Sequence, residues 1–391
     1  MANLHFGKSQ ISRSAVEFLV NVFVAVSLSC LLSILVLKGL SLSPLNDIGS
    51  NGDFEMSDIY IKILDNKSLR KLSDVAIVGI DGLNRDNVGD LIEEIATYSS
   101  PKAIGLDILF HEFRERDTMF IPQMMRCDDL TNLVFANALD NKVGGEYQNI
   151  EFSYFQDFIP FNTGTINLDA ETRYEVMRNL KIEYRACGQK VNTLPMEMIR
   201  LADDSLYSEL KNLGEESLMI YYPANIIEVF TCDEILSDKV DLSVFTGKYV
   251  LMGDINLMSD CFMTPLGSMP GVMVHAYALN TLLEQRIVSK SPNFVIWIIA
   301  IFICFLFTSL DLLLRKSVHA AKFFLMRICQ GFVIILLIVL GVCLLDSTGV
   351  YLNIALPLSM IAMGLLSNDI IFGLCDIYQI IMKLINNYIK S

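Results

Sequence analysis

Four aspartates stand where an apolar run gives out. Asp81 closes Val75-Ala-Ile-Val-Gly-Ile, Asp107 follows Ala103-Ile-Gly-Leu, Asp254 ends Lys248-Tyr-Val-Leu-Met-Gly, and Asp260 lies in the loop beyond. If those runs are parallel strands, the four carboxylates gather at one carboxyl edge, where ligands settle in open α/β sheets. Carboxylates there can hold a ligand amine or hydroxyl, or cap the loops that follow. Four together would suit a divalent cation, which wants hard oxygen ligands, but no metal is expected. His275 has the chemistry of a pH sensor or ligand contact, although a hydrogen-bonded core imidazole is the commoner use at the start of a helix packed on a sheet. Asp81, Asp107, Asp254, Asp260 and His275 are the candidate ligand-binding residues. No Gly-x-Ser-x-Gly elbow, phosphate-binding Gly-Lys-Ser/Thr loop or His-Glu-x-x-His zinc site is present. Gly247-Lys248 precedes a strand and cannot cradle a phosphate. Neither an enzyme nor a cofactor is expected.

The elements that must position these residues read as strand, helix, strand, helix. Val75–Asp81 and Ala103–Phe110 look like strands buried on both faces. Val88–Tyr98 between them carries Leu91, Ile92 and Ile95 at helical spacing. Asp128–Leu139 reads as the next helix. Leu180–Arg185 and Ser217–Tyr222 read as strands with a helix over Leu194–Leu201, and a strand over Lys248–Asp254 precedes a helix over Val272–Gln285. The alternation predicts an α/β domain with a largely parallel sheet, in which the strands bearing Asp81 and Asp107 are neighbours. Residues 111–127 and 145–172 show no assignable pattern.

This polar domain is embedded in an oily chain. Of 391 residues 53% are hydrophobic and only 19% charged, yet the net charge is −14. The charge is segregated: residues 39–290 hold 39 Asp/Glu and 21 Lys/Arg, and the rest holds 5 and 9. Such an acidic surface excludes nucleic-acid binding. Four apolar stretches, Phe18–Leu37, Phe294–Leu314, Ile328–Leu345 and Ile354–Cys375, reach the roughly 20 residues that cross a bilayer. Lys8 and Arg13, the group Arg315, Lys316, Lys322 and Arg327, and Lys383 and Lys390 all fall on one side if both termini are cytoplasmic. The chain then divides into a cytoplasmic N-terminus (1–15), a first transmembrane helix (16–38), an extracytoplasmic domain (39–291), three further transmembrane helices (293–314, 328–346 and 354–375) and a cytoplasmic amphipathic tail (376–391). The first span is longer than a signal-peptide core and no small-x-small site follows it, so it reads as an uncleaved anchor.

Cys127, Cys187, Cys232 and Cys261 fall in the outer domain, where an oxidising compartment favours disulfides. At least one disulfide is expected among them; four cysteines allow three connectivities, of which Cys127–Cys187 with Cys232–Cys261 is one, and free buried thiols are the alternative.

Several of these segments resemble CHASE2 domains, the extracytoplasmic sensor modules of bacterial receptors. Val75–Asp81 is similar to their first strand and Ala103–Phe110 to their Asp-bearing second. The most specific likeness is Gly247-Lys-Tyr-Val-Leu-Met-Gly253, Asp260, Thr264-Pro265, Pro270-Gly-Val and His275-Ala, continuing through Leu279-Asn-Thr-Leu-Leu283. One span before the sensor and three after it also agree. The family's Trp-Pro-Trp-Pro-Arg-like segment is replaced here by Asn84-Arg-Asp-Asn-Val-Gly89. Relatives usually continue into a cyclase or kinase domain, whereas sixteen residues follow the last span here. The resemblance therefore implies a bacterial inner-membrane sensor that binds a stimulus outside and signals through its helices to a separate cytoplasmic or membrane effector, or to a second copy. A non-enzymatic envelope scaffold or membrane-complex subunit is the alternative.

Two further groups bear on that reading. Asp311 and Asp369 lie within or near hydrocarbon, where a central carboxylate costs about 2.5–3.5 kcal/mol on insertion scales. They are expected to pair with Arg315 or Lys316, or to serve intramembrane signalling. In 376–391, Ile377, Ile380, Ile381, Leu384, Ile385, Tyr388 and Ile389 share one helical face. That face needs cover from the inner leaflet or from a partner, with Ile381, Leu384 and Tyr388 as its docking residues. In intact cells, an impermeant thiol reagent should label cysteines introduced at exposed sites in 39–290 and miss those at 316–326 or 385. Outside labelling of 316–326 would contradict the topology.

Overall fold

The computed structural model describes residues 4–40, 55–66, 71–114, 117–168, 176–214, 217–223, 225–256, 260–315 and 320–390. These form two compact units, Asp53–Val288 and the pair of flanking segments Met1–Gly52 with Ser289–Ser391. In chain order the elements are α1 (Leu4–Leu40), α2 (Met56–Asp65), β1 (Leu72–Gly79), α3 (Arg85–Tyr98), β2 (Ala103–Leu106), α4 (Asp117–Leu130), β3 (Leu133–Val143), β4 (Glu146–Phe152), β5 (Asn162–Thr165), β6 (Asn179–Lys181), β7 (Glu183–Ala186), β8 (Gln189–Asn192), α5 (Leu194–Ala202) and α6 (Asp204–Asn212). There follow β9 (Ser217–Met219), β10 (Ile226–Thr231), α7 (Cys232–Leu236), β11 (Tyr249–Gly253), β12 (Cys261–Thr264), β13 (Gly267–Pro270), α8 (Gly271–Leu283), β14 (Ser289–Lys290), α9 (Asn293–Arg315), α10 (Ala320–Thr348), β15 (Val350–Tyr351) and α11 (Ala355–Lys390).

The first unit is built on a mixed sheet in the order β10-β1-β11-β2-β3-β4-β7-β8, with β5 beside β3. From β10 to β3 the pairing is parallel, while β3–β4 and β7–β8 are antiparallel. Alternation along the central strands explains why both faces are covered. Val75 and Ile77 of β1, with Tyr249 and Leu251 of β11, enter a core shared with α5 and α8. Ala76, Val78, Val250 and Met252 enter the opposite core, against α3 and α4. A bidentate ion pair, Arg178 Nε and Nη2 to the Asp58 carboxylate at 2.9 and 2.8 Å, ties α2 to the segment entering β6.

Three sequence expectations change. The strands bearing Asp81 and Asp107 are not neighbours, because β11 lies between them. The helix expected over Asp128–Leu139 ends at Leu130, and Leu133-Val-Phe-Ala begins β3 instead. That run is buried on both faces and carries a β-branched residue and an aromatic, which suits a central strand. Leu180–Arg185 splits into β6 and β7, and the strand from Ser217 stops at Met219.

The cysteines are a fourth correction: all are free. Cys127 lies wholly buried on α4, whereas Cys187 sits on the exposed β7–β8 turn with its Sγ donating to the Gln148 carbonyl at 3.1 Å. Cys232 is buried at the start of α7, and the exposed Cys261 on β12 hydrogen-bonds Ser268.

In the second unit, α1, α9, α10 and α11 include four helices of membrane-crossing length and hydropathy: Ala15–Lys38, Asn293–Leu314, Phe324–Thr348 and Ala355–Asn386. Small residues bring α1, α9 and α11 together. Ser29 Oγ donates to Ser367 Oγ at 2.9 Å, and a Cβ on Gly364 would meet Cys304 and Thr308 at 3.4 Å. Asp311 is buried in this bundle and accepts Asn368 Nδ2 at 2.8 Å, a partner that the sequence did not suggest. Asp369 is exposed; Lys316 and the Arg315 side chain lie outside the described residues. The tail does not form a separate element: α11 runs unbroken for 36 residues, about 54 Å against the roughly 30 Å of hydrocarbon. Ile381 and Leu384 on it are exposed, and the Tyr388 side chain lies outside the described residues.

Alkylation of the native chain without reductant should modify Cys187 and Cys261 first. Cys127, whose thiol pKa burial raises to about 11, and buried Cys232 should react only on unfolding. A crosslinked Cys127–Cys187 or Cys232–Cys261 peptide would contradict this.

Candidate functional site

Side-by-side packing of β1, β11 and β2, with Gly79 opposite Gly253 and Met252 opposite Leu106, sends Asp81, Asp254 and Asp107 out of adjacent strands at one edge. Asp81 Oδ1 accepts the N–H groups of Ile255 at 3.0 Å and Asn256 at 2.9 Å. Asp254 Oδ1 accepts the same Asn256 N–H at 2.7 Å, and the two carboxyl groups hydrogen-bond each other. Asp260 lies against the first residue of α8, where its carbonyl accepts the Gly271 N–H at 3.1 Å. A Cβ on Gly271 would fall 2.3 Å from Asp260 Oδ2. Glycine is needed there for close approach, and not for the unusual turn conformation that Pro270-Gly271 suggests, since its φ is not in the left-handed region. Thr264-Pro265 does form a turn, closed by Thr264 Oγ1 donating to the Gly267 carbonyl at 2.7 Å.

The four acids lie near one another at this edge, and their proximity changes the protonation of three of them. Burial, then the charge of Asp260, pushes Asp107 up to about 7. Burial, then the charge of Asp254, raises Asp260. Burial, then the hydrogen bond and charge of Asp254, raises Asp81 against the opposing pull of the Asn256 amide. The arrangement therefore retains protons above the usual carboxylate range. Among the described residues no group of three or more His, Cys, Asp or Glu side chains has the placement of a metal site.

His275 is not brought into this cluster. It is 1% exposed on the sheet-facing side of α8, its Nε2 is 3.1 Å from the Ile166 carbonyl, and its Nδ1 has no hydrogen-bond partner among the described residues. Burial lowers its pKa to about 4. It is a neutral core imidazole.

On the α3 side of the same edge the structure holds polar groups that the sequence did not flag. Arg85 opens α3 behind the N-cap Asn84, whose side chain accepts the Asn87 N–H. Its Nη1 donates to the Glu112 carbonyl at 2.7 Å and to Asp117 Oδ2 at 2.5 Å. Asp117 Oδ2 also accepts the Tyr154 hydroxyl at 2.7 Å and the Arg114 N–H at 2.8 Å. The guanidinium lies over the rings of Phe110 and Tyr154, 5.1 and 5.8 Å from their centroids. Beside it the loops after β1 and β2 enclose a crevice of about 260 Å3. Asp117 and Tyr154 fall in the stretches where no periodicity could be read, and an isolated Arg at a helix start carries no signal of its own.

A mixed α/β domain with polar side chains at the carboxyl ends of its parallel strands, on a chain that also carries apolar helices of spanning length, defines a membrane-associated α/β protein. The CHASE2 domain family model matches residues 30–313, and the chain belongs to that family. Neither the curated proteins nor the solved structures compared with it gave a match. A sensor-domain family together with four apolar helices fits a membrane sensor.

The raised Asp107 sets a pH dependence. Its stabilising contribution is complete below the unfolded value of 3.8 and is lost as pH rises through about 7. His275 acts in the opposite sense: its contribution is present above 6.5 and is lost as pH falls toward about 4. Comparing Asp107→Asn with wild type cancels the His275 effect. Thermal melts from pH 4 to 7.5 should show the variant gaining on wild type as pH rises, and a pH-independent offset would contradict the assignment.

Proposed function

We propose that this chain is a non-enzymatic inner-membrane sensor. Its CHASE2 domain lies outside the membrane, both termini lie in the cytoplasm, and a stimulus bound at the carboxyl edge of the sheet is passed through the helices to a separate effector or a second copy. The observation that carries this reading is the crevice at that edge, a concave site with polar groups set into apolar walls, as ligand sites are. A scaffold would instead call for a flat apolar patch at that edge. Asp81, Asp107, Asp254 and Asp260 line the other side of the edge and couple its protonation to whatever binds. Asp311, joined to Asn368 between α9 and α11, is the polar contact through which one helix can shift the other. The exposed Ile381 and Leu384 on the continuous α11 offer the output face.

The test is a chimera carrying a nucleotide-cyclase catalytic domain after Ser391, expressed in cells. Filling the crevice with Leu83→Trp should change cyclic-nucleotide output at least threefold at equal membrane levels. Output that ignores Leu83→Trp would refute signalling from this site.

A further inference from the structure

The crevice between the loops after β1 and β2 has a definite chemical character. Ile80, Leu83 and Val88 form one wall, and Ile108, Leu109 and Phe110 another. Arg85 is the polar lining residue held from both sides, and its side chain is only 12% exposed. A guanidinium presents five N–H donors in a planar fork. Both protein acceptors of Arg85, the Glu112 carbonyl and Asp117 Oδ2, are reached through Nη1. Its Nε and Nη2 have no partner among the described residues. The remaining edge is the side-on pair of parallel donors that fits the two oxygens of a carboxylate.

The surroundings hold that edge still. Asp117 anchors Nη1 while the Tyr154 hydroxyl and the Arg114 N–H fill the same carboxylate oxygen, and the rings of Phe110 and Tyr154 lie against the guanidinium. Burial and the Asp117 hydrogen bond raise the Tyr154 pKa, so the phenol keeps its proton and stays a donor. A side chain fixed in this way loses little further entropy on binding. Charge at the mouth is balanced. Arg114 is 62% exposed and lies 3.9 Å from Glu112, and His111 pairs with Glu151 at 2.7 Å. At about 260 Å3 the crevice is smaller than the roughly 300–1,000 Å3 of pockets for drug-sized ligands, which leaves room for one ring or a short chain.

We propose that this crevice binds a small monocarboxylate with an apolar body, its carboxylate on the Nε–Nη2 edge of Arg85 and its hydrocarbon between the walls. The assignment rests on the sensor reading above and gives that stimulus a chemical class.

The probes are benzoate and hexanoate, titrated calorimetrically into the full chain in nanodiscs, with empty nanodiscs to subtract lipid partitioning. Benzamide and hexanamide are the uncharged controls. At least one acid should bind saturably, and its amide at least tenfold more weakly. Arg85→Lys should weaken the acid at least tenfold, because a point charge does not supply the side-on pair. Leu83→Trp should abolish binding while leaving Arg85, Asp117 and Tyr154 in place, which keeps the test valid if Arg85→Lys loses the fold. Failure of both acids to bind wild type, equal binding of acid and amide, or unchanged binding to Leu83→Trp would overturn the proposal. The two readings fail separately. A chimera that responds to Leu83→Trp while neither acid binds removes the carboxylate alone. Acid binding without any change in cyclase output removes the signalling alone.

Discussion

The domain depends on where β11 sits. The β1–α3–β2 unit is contiguous in the chain, yet its two strands do not touch. The strand between them comes from residues 249–253 and pairs with both, Ala76 opposite Val250 and Val250 opposite Ile104. The sheet is therefore incomplete until the far end of the domain arrives. Such non-local pairing must meet its loop-closure entropy before burial rewards it. The same insertion creates the edge chemistry, since without β11 neither Asp254 nor the Asp260 loop would stand between Asp81 and Asp107.

The two faces of that edge handle buried charge differently. On the α8 side, carboxylates are set against one another, and the outcome is proton retention. On the α3 side, Arg85 and Asp117 offset each other, and ring faces and a phenol hold the pair. One arrangement makes charge conditional on pH, and the other holds opposite charges together as a hydrogen-bonded ion pair. Both lie at the ends of strands whose side chains otherwise alternate between two buried cores.

Much of this was legible in the sequence because periodicity reports burial. β1, α3, β11 and α8 each carry an unbroken apolar pattern, and the four aspartates end or follow such patterns. What escaped has physical causes. The boundary at Leu130 was missed because the apolar residues of Leu133-Val-Phe-Ala read equally well as helix or strand when the preceding segment lacks a pattern. The order of strands is not written in any one of them, so the seat of β11 was invisible. Arg85, Asp117 and Tyr154 act as a group only because three loops meet, and side chains that recognise one another across 32 and 37 positions leave no local signature. His275, for which a hydrogen-bonded core imidazole is the commoner reading in the sequence, is buried with its Nε2 at the Ile166 carbonyl.

The two-residue ladder between β14 and β15, Ser289 opposite Val350 and Lys290 opposite Tyr351, has a mechanical consequence. Ser289 is where the polypeptide leaves the α/β unit, and Val350–Tyr351 is the connection between α10 and α11. The splice puts the head of α9 and the α10–α11 corner on a single yoke. A displacement arriving along the backbone at Ser289 would thus reach the α10–α11 corner as well as α9, and α11 extends 36 residues, about 54 Å, from that corner.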